Sequence, residues 1–471
     1  GGGASASKKL LAAIAVLAVA FVVLAAVPAV DADGTSTGES ITNSDGFITA
    51  LTSGGSYTID AENIVVDLSQ MTKKTGKEGN NEYYYHSVSE STTIDLNGHN
   101  ISINSDCVLQ VERDKTLTLK NSIGSDAKIT WSKTSANTSV LGATTSATIE
   151  LDGIVLETNG CALYPYGDAA KIDVKDSTVV ATTYAVATNN AVTGDKKLTI
   201  NIDGSTLTTT TTDHDNTTVL INAANVTANI ENSTLNGERQ TLVVRCGTAT
   251  VTNTTINYAN SCADNTDNAA SYDDSTWADG NRLIRSAVVV GDRDNNNYVG
   301  TASLTISGGI INATSGKAIY VYSDQNTGAT LNLGKDDATD VKIGSNVATV
   351  KNLKVQGTSG TEGELLKFVQ GSVVISGTIP ASSNVEITAK GEVKLDGVTI
   401  TGNTGTLTVS TTGTGSEVVA GNLVIPNGVT LNVASGATLN VASGATLNVA
   451  SGATLNVASG ATLNVASGAT L

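Results

Sequence analysis

The chain has 471 residues, of which 40% are hydrophobic and only 4% aromatic. Its apolar residues are mainly Val, Ile, Leu and Ala, mixed with Thr, Asn and 47 Gly, a composition typical of many short strands joined by tight turns. The formal charge of −17 excludes the positive field that nucleic-acid binding needs. It fits an exported protein that charge repulsion keeps soluble, or one that collects cations.

An export signal opens the chain. Lys8 and Lys9 precede an apolar run over residues 10–27, and small residues follow up to Ala32. This order predicts a secretory signal peptide over residues 1–32, a mature start at Asp33 and a secreted or cell-surface location. The alternative is an uncleaved anchor, since about 18 apolar residues just span a bilayer. We favour cleavage because no basic stop-transfer cluster follows, and we expect no further membrane insertion.

Residues 33–90 are predicted to form an N-terminal cap for the repeats that follow. They contain the run Tyr83-Tyr84-Tyr85. We interpret this run either as a ligand-binding patch or as a cover over the first coils of the fold.

A short pattern recurs over residues 91–425. Alternating apolar residues are followed by Asp or Asn with Gly or Ser, and then by further apolar residues, as in Ile94–Ile101 and Ile149–Val155. The apolar residue after each turn falls at positions 101, 155, 179, 207, 235, 256 and 310. The steps are 21–28 residues, except two of 54 that we interpret as two units each, with a weaker copy at Leu117–Ile123 inside the first. Such units are typical of solenoid coils.

Alternation with a period of two residues marks the repeated segments as strands. Leu198, Ile200 and Ile202 share one side, whereas Thr199 and Asn201 share the other. No stretch after the signal has an apolar stripe of helical period and length. Short strands with this unit length stack coil upon coil, so we predict an all-β fold, a parallel β-helix (β-solenoid), over residues 91–425.

The segment from Thr93 to Ile101, Thr-Ile-Asp-Leu-Asn-Gly-His-Asn-Ile, resembles the opening coils of pectate-lyase-like right-handed parallel β-helix proteins. The resemblance covers residues 47–333 and, more weakly, 393–400. It implies a right-handed coil. It implies little about activity, because enzymes, adhesins and surface proteins share this fold.

From Gly428 the chain becomes a near-perfect octad, Ala-Thr-Leu-Asn-Val-Ala-Ser-Gly. Leu and Val alternate with Thr and Asn, and Ser-Gly supplies a turn, so each octad fits one four-residue strand plus a turn. We predict an octapeptide-repeat β-solenoid over residues 426–471, and the alternative is a disordered stalk. The regular Leu and Val favour order. Because Leu471 falls inside a repeat, we expect the chain to be a fragment of a longer protein.

The segment from Asn260 to Tyr298 interrupts the coil spacing and gathers acidic, basic and aromatic residues. Aromatic rings have apolar faces that pack on sugars, and Ca²⁺ binds to oxygen ligands. The candidate residues for binding a glycan or Ca²⁺ are Asp264, Asp267, Tyr272, Asp273, Asp274, Trp277, Asp279 and Arg282. The alternative is a solvated surface loop, which we favour.

The resemblance also implies two kinds of catalytic centre, those of polysaccharide lyases and of hydrolases. Asn265-Thr266-Asp267 and Asp273-Asp274 resemble the Asn-x-Asp and Asp-Asp motifs of polygalacturonase-type hydrolases. In that family the motifs lie on successive coils, whereas here they are separated by 6 residues and no Gly-His-Gly is present. We therefore predict no catalytic residues.

The four cysteines are Cys107, Cys161, Cys246 and Cys262. They form no CxxC pair and have no His at metal-ligand spacing, which argues against a zinc site. Cys246 and Cys262 are close enough in sequence for a disulfide, and buried thiols are an equal alternative. Apart from Ca²⁺, we expect no cofactor.

These features predict an exported cell-surface protein, structural or adhesin-like, whose outward Thr, Asn and Asp contact glycans or neighbouring surface proteins. The alternative is an extracellular polysaccharide lyase or glycoside hydrolase of the pectate-lyase-like fold. In such a hydrolase two carboxyl groups would converge across the scissile bond from adjacent coils. Here the acids crowd into one irregular segment, which favours the first interpretation.

Overall fold

The computed structural model of the chain is a β-solenoid. It describes residues 38–78, 81–124, 126–133, 139–188, 197–210, 217–259, 286–291, 301–313, 316–321, 328–334, 341–343, 348–351, 353–357, 364–369, 372–380 and 384–471. These residues form 43 strands, the α-helix Ser44–Ser53 and the 3₁₀ helix Leu68–Gln70. The prediction of an all-β solenoid fold is confirmed.

Each coil of the first part of the solenoid contributes one strand to each of three stacked faces. Face 1 contains Glu39–Ile41, Gly55–Ile59, Thr92–Asp95, Thr116–Lys120, Thr148–Asp152, Lys171–Lys175, Lys197–Asp203, Thr301–Ser307 and Gly328–Leu333. Face 2 contains Ile64–Asp67, Ile101–Asn104, Ala127–Ser132, Ile154–Thr158, Thr178–Ala181, Thr206–Thr209, Thr234–Gly237, Thr255–Tyr258, Ile310–Ala313 and Val341–Ile343. Face 3 contains Asn81–Val88, Val108–Val111, Ser139–Ala143, Cys161–Pro165, Val186–Ala187, Ser286–Val290 and Gly316–Val321.

Three further strands complete this part of the fold. Val219–Glu231 and Gln240–Thr252 each bend from face 3 onto face 1, and a register shift marks the corner between Asn222 and Thr227. Lys74–Glu78 forms an antiparallel hairpin with Asn81–Val88 at the edge of face 3. Every other pairing up to Val341–Ile343 is parallel among the described residues, as the short repeat predicts.

The inward residues of successive coils lie in register and form the core. On face 2 this row is Ile64, Ile101, Ile129, Leu156, Val179, Leu207, Leu235, Ile256 and Ile311. On face 1, Leu198, Ile200 and Ile202 are buried while Thr199 and Asn201 point outward, as predicted. Parallel strands about 4.8 Å apart place equivalent side chains in contact, so each coil buries its apolar side on the next.

The turn between faces 1 and 2 explains the repeated Asp, Asn and Gly. Asp176, Gly204 and Asn232 occupy equivalent turns with φ of 47°, 60° and 50°, a left-handed conformation that these residue types tolerate best. The Ser that follows each one points inward. The hydroxyl of Ser205 accepts a hydrogen bond from the backbone N–H of Ser177 at 3.1 Å, so neighbouring turns are joined by buried bonds.

Three details of the predicted spacing are wrong. In the weaker copy, Ile123 is 48% exposed and Ile129 takes the inward position, because the turn there is longer. The second step of 54 residues is a single coil, since Ile256 pairs directly with Ile311. The added length lies within that coil, on both sides of the buried strand Ser286–Val290. Positions 155 and 310 also point outward, and the next residue of each is the buried one.

The solenoid stacking begins inside residues 33–90. The strand Glu39–Ile41 pairs in parallel with Gly55–Ile59, which in turn pairs with Thr92–Asp95. Between the first two strands lies the helix Ser44–Ser53, which buries Phe47, Ala50 and Leu51. Asn43 caps this helix, because its side chain accepts a hydrogen bond from the N–H of Gly46 at 2.9 Å.

The direction of the strands is reversed in one coil of the described stack. The strands Ala348–Lys351, Leu353–Gly357 and Glu364–Val369 pair antiparallel with the preceding coil. The next strand, Ser372–Pro380, is antiparallel to Glu364–Val369 and parallel to Glu392–Thr401. One reversed coil therefore joins two parallel stacks. The remaining strands are Asn384–Ala389, Thr406–Thr411, Glu417–Ala420, Leu423–Ile425, Thr430–Val433, Thr438–Val441, Leu447–Val449, Thr454–Val457 and Thr462–Val465.

Three C-terminal octads make one coil of the structure. Thr430 pairs with Thr454 and Thr438 pairs with Thr462, both in parallel, so equivalent strands are 24 residues apart. Leu431 and Val433 are fully buried. On the outside the amide of Asn456 donates to Oδ1 of Asn432 at 3.2 Å. Each octad thus supplies one side of a three-sided coil.

Candidate functional site

The acidic segment that the sequence singles out lies outside the described residues. This applies to all eight candidate ligands: Asp264, Asp267, Tyr272, Asp273, Asp274, Trp277, Asp279 and Arg282. Within the described ranges, no group of three or more His, Cys, Asp or Glu is placed to hold a metal ion. The proposed binding of Ca²⁺ or glycan by this segment stays a prediction.

The cysteines that the structure describes are buried. Cys161 begins a strand of face 3, and Cys107 immediately precedes another strand two coils away, with Ser139 at the same position of the coil between them. Lys133 lies beside them and is only 5% exposed. Burial lowers the pKa of its amine to about 8, partly offset by the two thiols and Asp106. Cys262, the predicted partner of Cys246, lies outside the described residues.

Face 3 gathers aromatic side chains at its N-terminal end. Six of the 12 tyrosines in the chain lie on or beside its first strands. Five of them share the outer side of face 3, and we call this group the tyrosine patch; it comprises Tyr83, Tyr85, Tyr164, Tyr166 and Tyr184. Tyr84 points to the opposite side of its strand. In a chain with so few aromatic residues, this concentration on one outer surface is the strongest local feature of the described molecule.

The rings of the tyrosine patch contact one another across several coils. Tyr83 and Tyr166 pack edge to face with ring centroids 6.0 Å apart, and Tyr164 stacks on Tyr166 at 5.5 Å. Tyr83 also lies 5.8 Å from Tyr85. Such aromatic pairs contribute about 0.5–1.5 kcal/mol beyond the burial of their area. The rings therefore form a preorganised surface.

The buried side chain of Gln110 forms hydrogen bonds with the hydroxyls of Tyr83 and Tyr166. The hydroxyl of Tyr83 donates to Oε1 of Gln110 at 3.0 Å, and the hydroxyl of Tyr166 donates to the same oxygen. The two hydroxyls are 3.2 Å apart. Gln110 is only 4% exposed, so one buried amide holds two half-buried rings in place.

Two glycines make room for these rings. A Cβ at Gly142 would lie 2.9 Å from Cε1 of Tyr166, so this ring crosses directly over the backbone of the intervening strand. Gly76 lies opposite Tyr83 in the antiparallel hairpin, and a Cβ there would lie 2.4 Å from its ring. The two glycines thus leave space on the outer side of face 3 for the rings of Tyr166 and Tyr83.

Charged groups border the rings. Lys74 donates to the hydroxyl of Ser87 at 2.8 Å, and Ser87 donates to Oε1 of Glu112 at 2.5 Å. Burial and the nearby Glu112 carboxylate raise the pKa of Tyr85, although a hydrogen bond with Gln110 opposes this. The amine of Lys73 lies 3.9 Å above the ring of Tyr84, which is 50% exposed.

A second apolar cluster adjoins the patch along the outer side of face 3. Ala187, Leu220, Val243 and Val289 lie in register on successive coils and alternate with the inward residues of the core. Tyr164 and Tyr184 pack against this cluster. The tyrosine patch is therefore anchored to the solenoid by apolar contacts as well as by Gln110.

Chemically, the patch combines flat apolar rings with an amide, a carboxylate and amines at its border. Sugar rings present apolar C–H faces and a rim of hydroxyl groups, which suit stacking and hydrogen bonding respectively. No group of this patch has the geometry of paired carboxyl groups across a scissile bond. The arrangement is suited to binding.

The sequence identified only part of this site. Tyr83, Tyr84 and Tyr85 were predicted as a ligand patch or a cover, whereas Gln110, Glu112, Tyr164, Tyr166 and Tyr184 were missed. Gln110 precedes Tyr166 by 56 residues, and only the pairing register brings them together. The motif Tyr-Pro-Tyr at residues 164–166 was the available signal.

No protein-family model matches the chain, and no curated protein has a similar sequence. Among the described residues, no helix has the length and apolar content that crossing a membrane requires.

Proposed function

We propose that the chain is an exported, cell-surface, adhesin-like protein that binds glycans through the tyrosine patch. The observation that carries this proposal is the set of tyrosine rings fixed on the outside of face 3 by Gln110. The apparent export signal and the acidic composition agree with a location outside the cell. The solenoid supports the proposal because it offers a long, rigid surface with stacked coils.

Three finer features belong to the same proposal. The coil is right-handed and of the pectate-lyase-like kind, since parallel strand connections are right-handed in nearly all proteins. The octads act as a spacer, because their near-identical outer surfaces offer no place for a unique binding group. Neighbouring surface proteins are a second class of partner for the long outer faces.

Glycan microarrays test the proposal. The wild-type chain is expected to bind a subset of glycans, and Tyr166→Ala is expected to weaken this binding at least tenfold, as the loss of about 1.4 kcal/mol predicts. Tyr166→Phe keeps the ring and removes the hydroxyl, so it should retain more binding than Tyr166→Ala. Thr206→Ala, on the outer side of face 2, is the control. Binding of no glycan, or unchanged binding by Tyr166→Ala, would reject the proposal.

A further inference from the structure

A shallow cavity of about 250 Å³ lies at face 2, separate from the tyrosine patch on face 3. It is open on one side. Asn236, Asn257 and Asn312 line it from three successive coils, together with Glu238, Gly237 and Tyr258. The cavity is smaller than the range of about 300–1,000 Å³ that drug-sized ligands occupy, so it has room for about one sugar ring.

The floor of the cavity is a ladder of side-chain amides. The amide nitrogen of Asn257 donates to Oδ1 of Asn236 at 2.8 Å, and that of Asn312 donates to Oδ1 of Asn257 at 3.4 Å. Asn236 in turn donates to the hydroxyl of Thr208 at 3.0 Å. An Asn amide has two N–H donors and two acceptor positions. The ladder uses one donor each of Asn236 and Asn257, and it fixes the direction of both side chains.

The wall of the cavity is set by a tight turn after the face 2 strand. A Cβ at Gly237 would lie 2.5 Å from the backbone oxygen of Gln240, so the chain turns there without a side chain. Glu238 follows and is partly buried. Its burial raises the pKa of its carboxyl. Among the described residues that line the cavity, none is Lys or Arg.

We propose that this cavity binds one neutral pyranose unit of a glycan. Fixed amides offer donors and acceptors to sugar hydroxyls, and the carboxyl of Glu238 offers a further acceptor. The carboxyl of Glu238 disfavours uronic acids, because it would face an anionic sugar with a charge of the same sign. The site needs no residue of the tyrosine patch, so it stands independently of the proposed function.

Saturation-transfer NMR tests this proposal on the full chain. The probes are methyl β-D-glucopyranoside, methyl α-D-mannopyranoside and, as the charged comparison, galacturonic acid. We expect transfer to at least one neutral probe and none to galacturonic acid. Asn257→Ala should reduce the transfer at least fivefold, and Glu238→Gln, which keeps the shape of the side chain, should reduce it about twofold or more.

The matched control is Asn229→Ala, which removes an equivalent amide from face 1. Asn229 donates to Oδ1 of Asn201 at 3.0 Å, so the variant breaks a similar ladder bond outside the cavity. Its transfer should equal that of the wild type. The proposal is overturned if no neutral probe receives transfer, if both Asn257→Ala and Glu238→Gln match the wild type, or if Tyr166→Ala alone abolishes the transfer.

Discussion

The first solenoid and the octad solenoid have the same interior and different exteriors. Both bury rows of Leu, Ile and Val, for example Leu207 in the first and Leu431 in the second. In the first, equivalent residues are 21–55 residues apart, as from Leu235 to Ile256 and from Ile256 to Ile311. In the octads they are 24 residues apart throughout.

This difference shows where a solenoid can acquire binding sites. The tyrosine patch and the amide-floored cavity both lie where coils differ in length and in outer residues. The outward positions of the octad strands are Thr and Asn, and the turns are Ala, Ser and Gly, repeated in each coil. An interior of stacked aliphatic rows tolerates either exterior, because each coil interacts only with its neighbours.

The largest expected effect compares two inward leucines. Leu207 is fully buried between Val179 and Leu235. Leu207→Ala should lower the free energy of unfolding by about 2–5 kcal/mol, because it leaves a cavity in the core. Leu463 is only partly buried, so Leu463→Ala should lower the free energy of unfolding by less than about 1 kcal/mol. Urea unfolding measures both, and equal losses would contradict the comparison.

The two solenoids also differ in titratable groups: the first contains the buried Lys133, whereas the octads contain no titratable side chain. The amine of Lys133 donates to the backbone oxygen of Ser139 at 3.0 Å, and its pKa is lowered to about 8 from the usual 10.5. Between these pH values the unfolded chain binds more protons than the folded one, so stability gains with rising pH. Between pH 8 and 10.5, the free energy of unfolding of the wild type should rise by up to about 3 kcal/mol relative to that of Lys133→Met.

The measurement for Lys133 is urea unfolding of both proteins at several pH values from 7 to 11. The comparison with Lys133→Met cancels the other lysines and tyrosines that titrate in the same range. If the difference in free energy of unfolding between the wild type and Lys133→Met is constant, or falls as the pH rises, burial does not disfavour the charged amine.

Deleting octads should have the smallest effect. Removal of residues 440–455 takes out two octads. Because the octads are nearly identical, the remaining ones can shift along the stack and still form the same strand pairs. The protease resistance of residues 91–425 should therefore stay unchanged. By contrast, deletion of residues 199–206 removes most of the face 1 strand Lys197–Asp203 and the turn after it, and should abolish that resistance. Sensitivity of residues 91–425 after the octad deletion would contradict the spacer role.

The repeat was predictable because it depends on local chemistry. Alternating apolar residues and turn residues such as Asp176 and Gly204 predict the strands and the left-handed turns between faces 1 and 2. The helix Ser44–Ser53 was not predicted because its buried apolar residues, Phe47, Ala50 and Leu51, span little more than one helical turn. That is too short to stand out as an apolar stripe in the sequence. The reversed coil over 348–369 was missed because a strand pattern does not encode the direction of pairing.

The tyrosine patch was only partly predictable, for a related reason. Its residues come from separate coils, and Tyr83 and Tyr166 are 83 residues apart. Their meeting depends on the length of every intervening turn and on the space at Gly142. A sequence pattern with variable coil lengths does not fix that register. The sequence instead pointed to residues 260–298 as a candidate site, because the acidic and aromatic residues there are close together along the chain.

The most direct test of the account compares glycan binding by three forms of the full chain in one array experiment: the wild type, the deletion of residues 440–455 and Tyr166→Ala. We predict that the deletion keeps the glycan profile and affinity of the wild type, while Tyr166→Ala loses at least tenfold in affinity with its circular dichroism spectrum unchanged. Loss of binding in the octad deletion, together with full binding by Tyr166→Ala, would contradict the claim that the varied coils carry the binding.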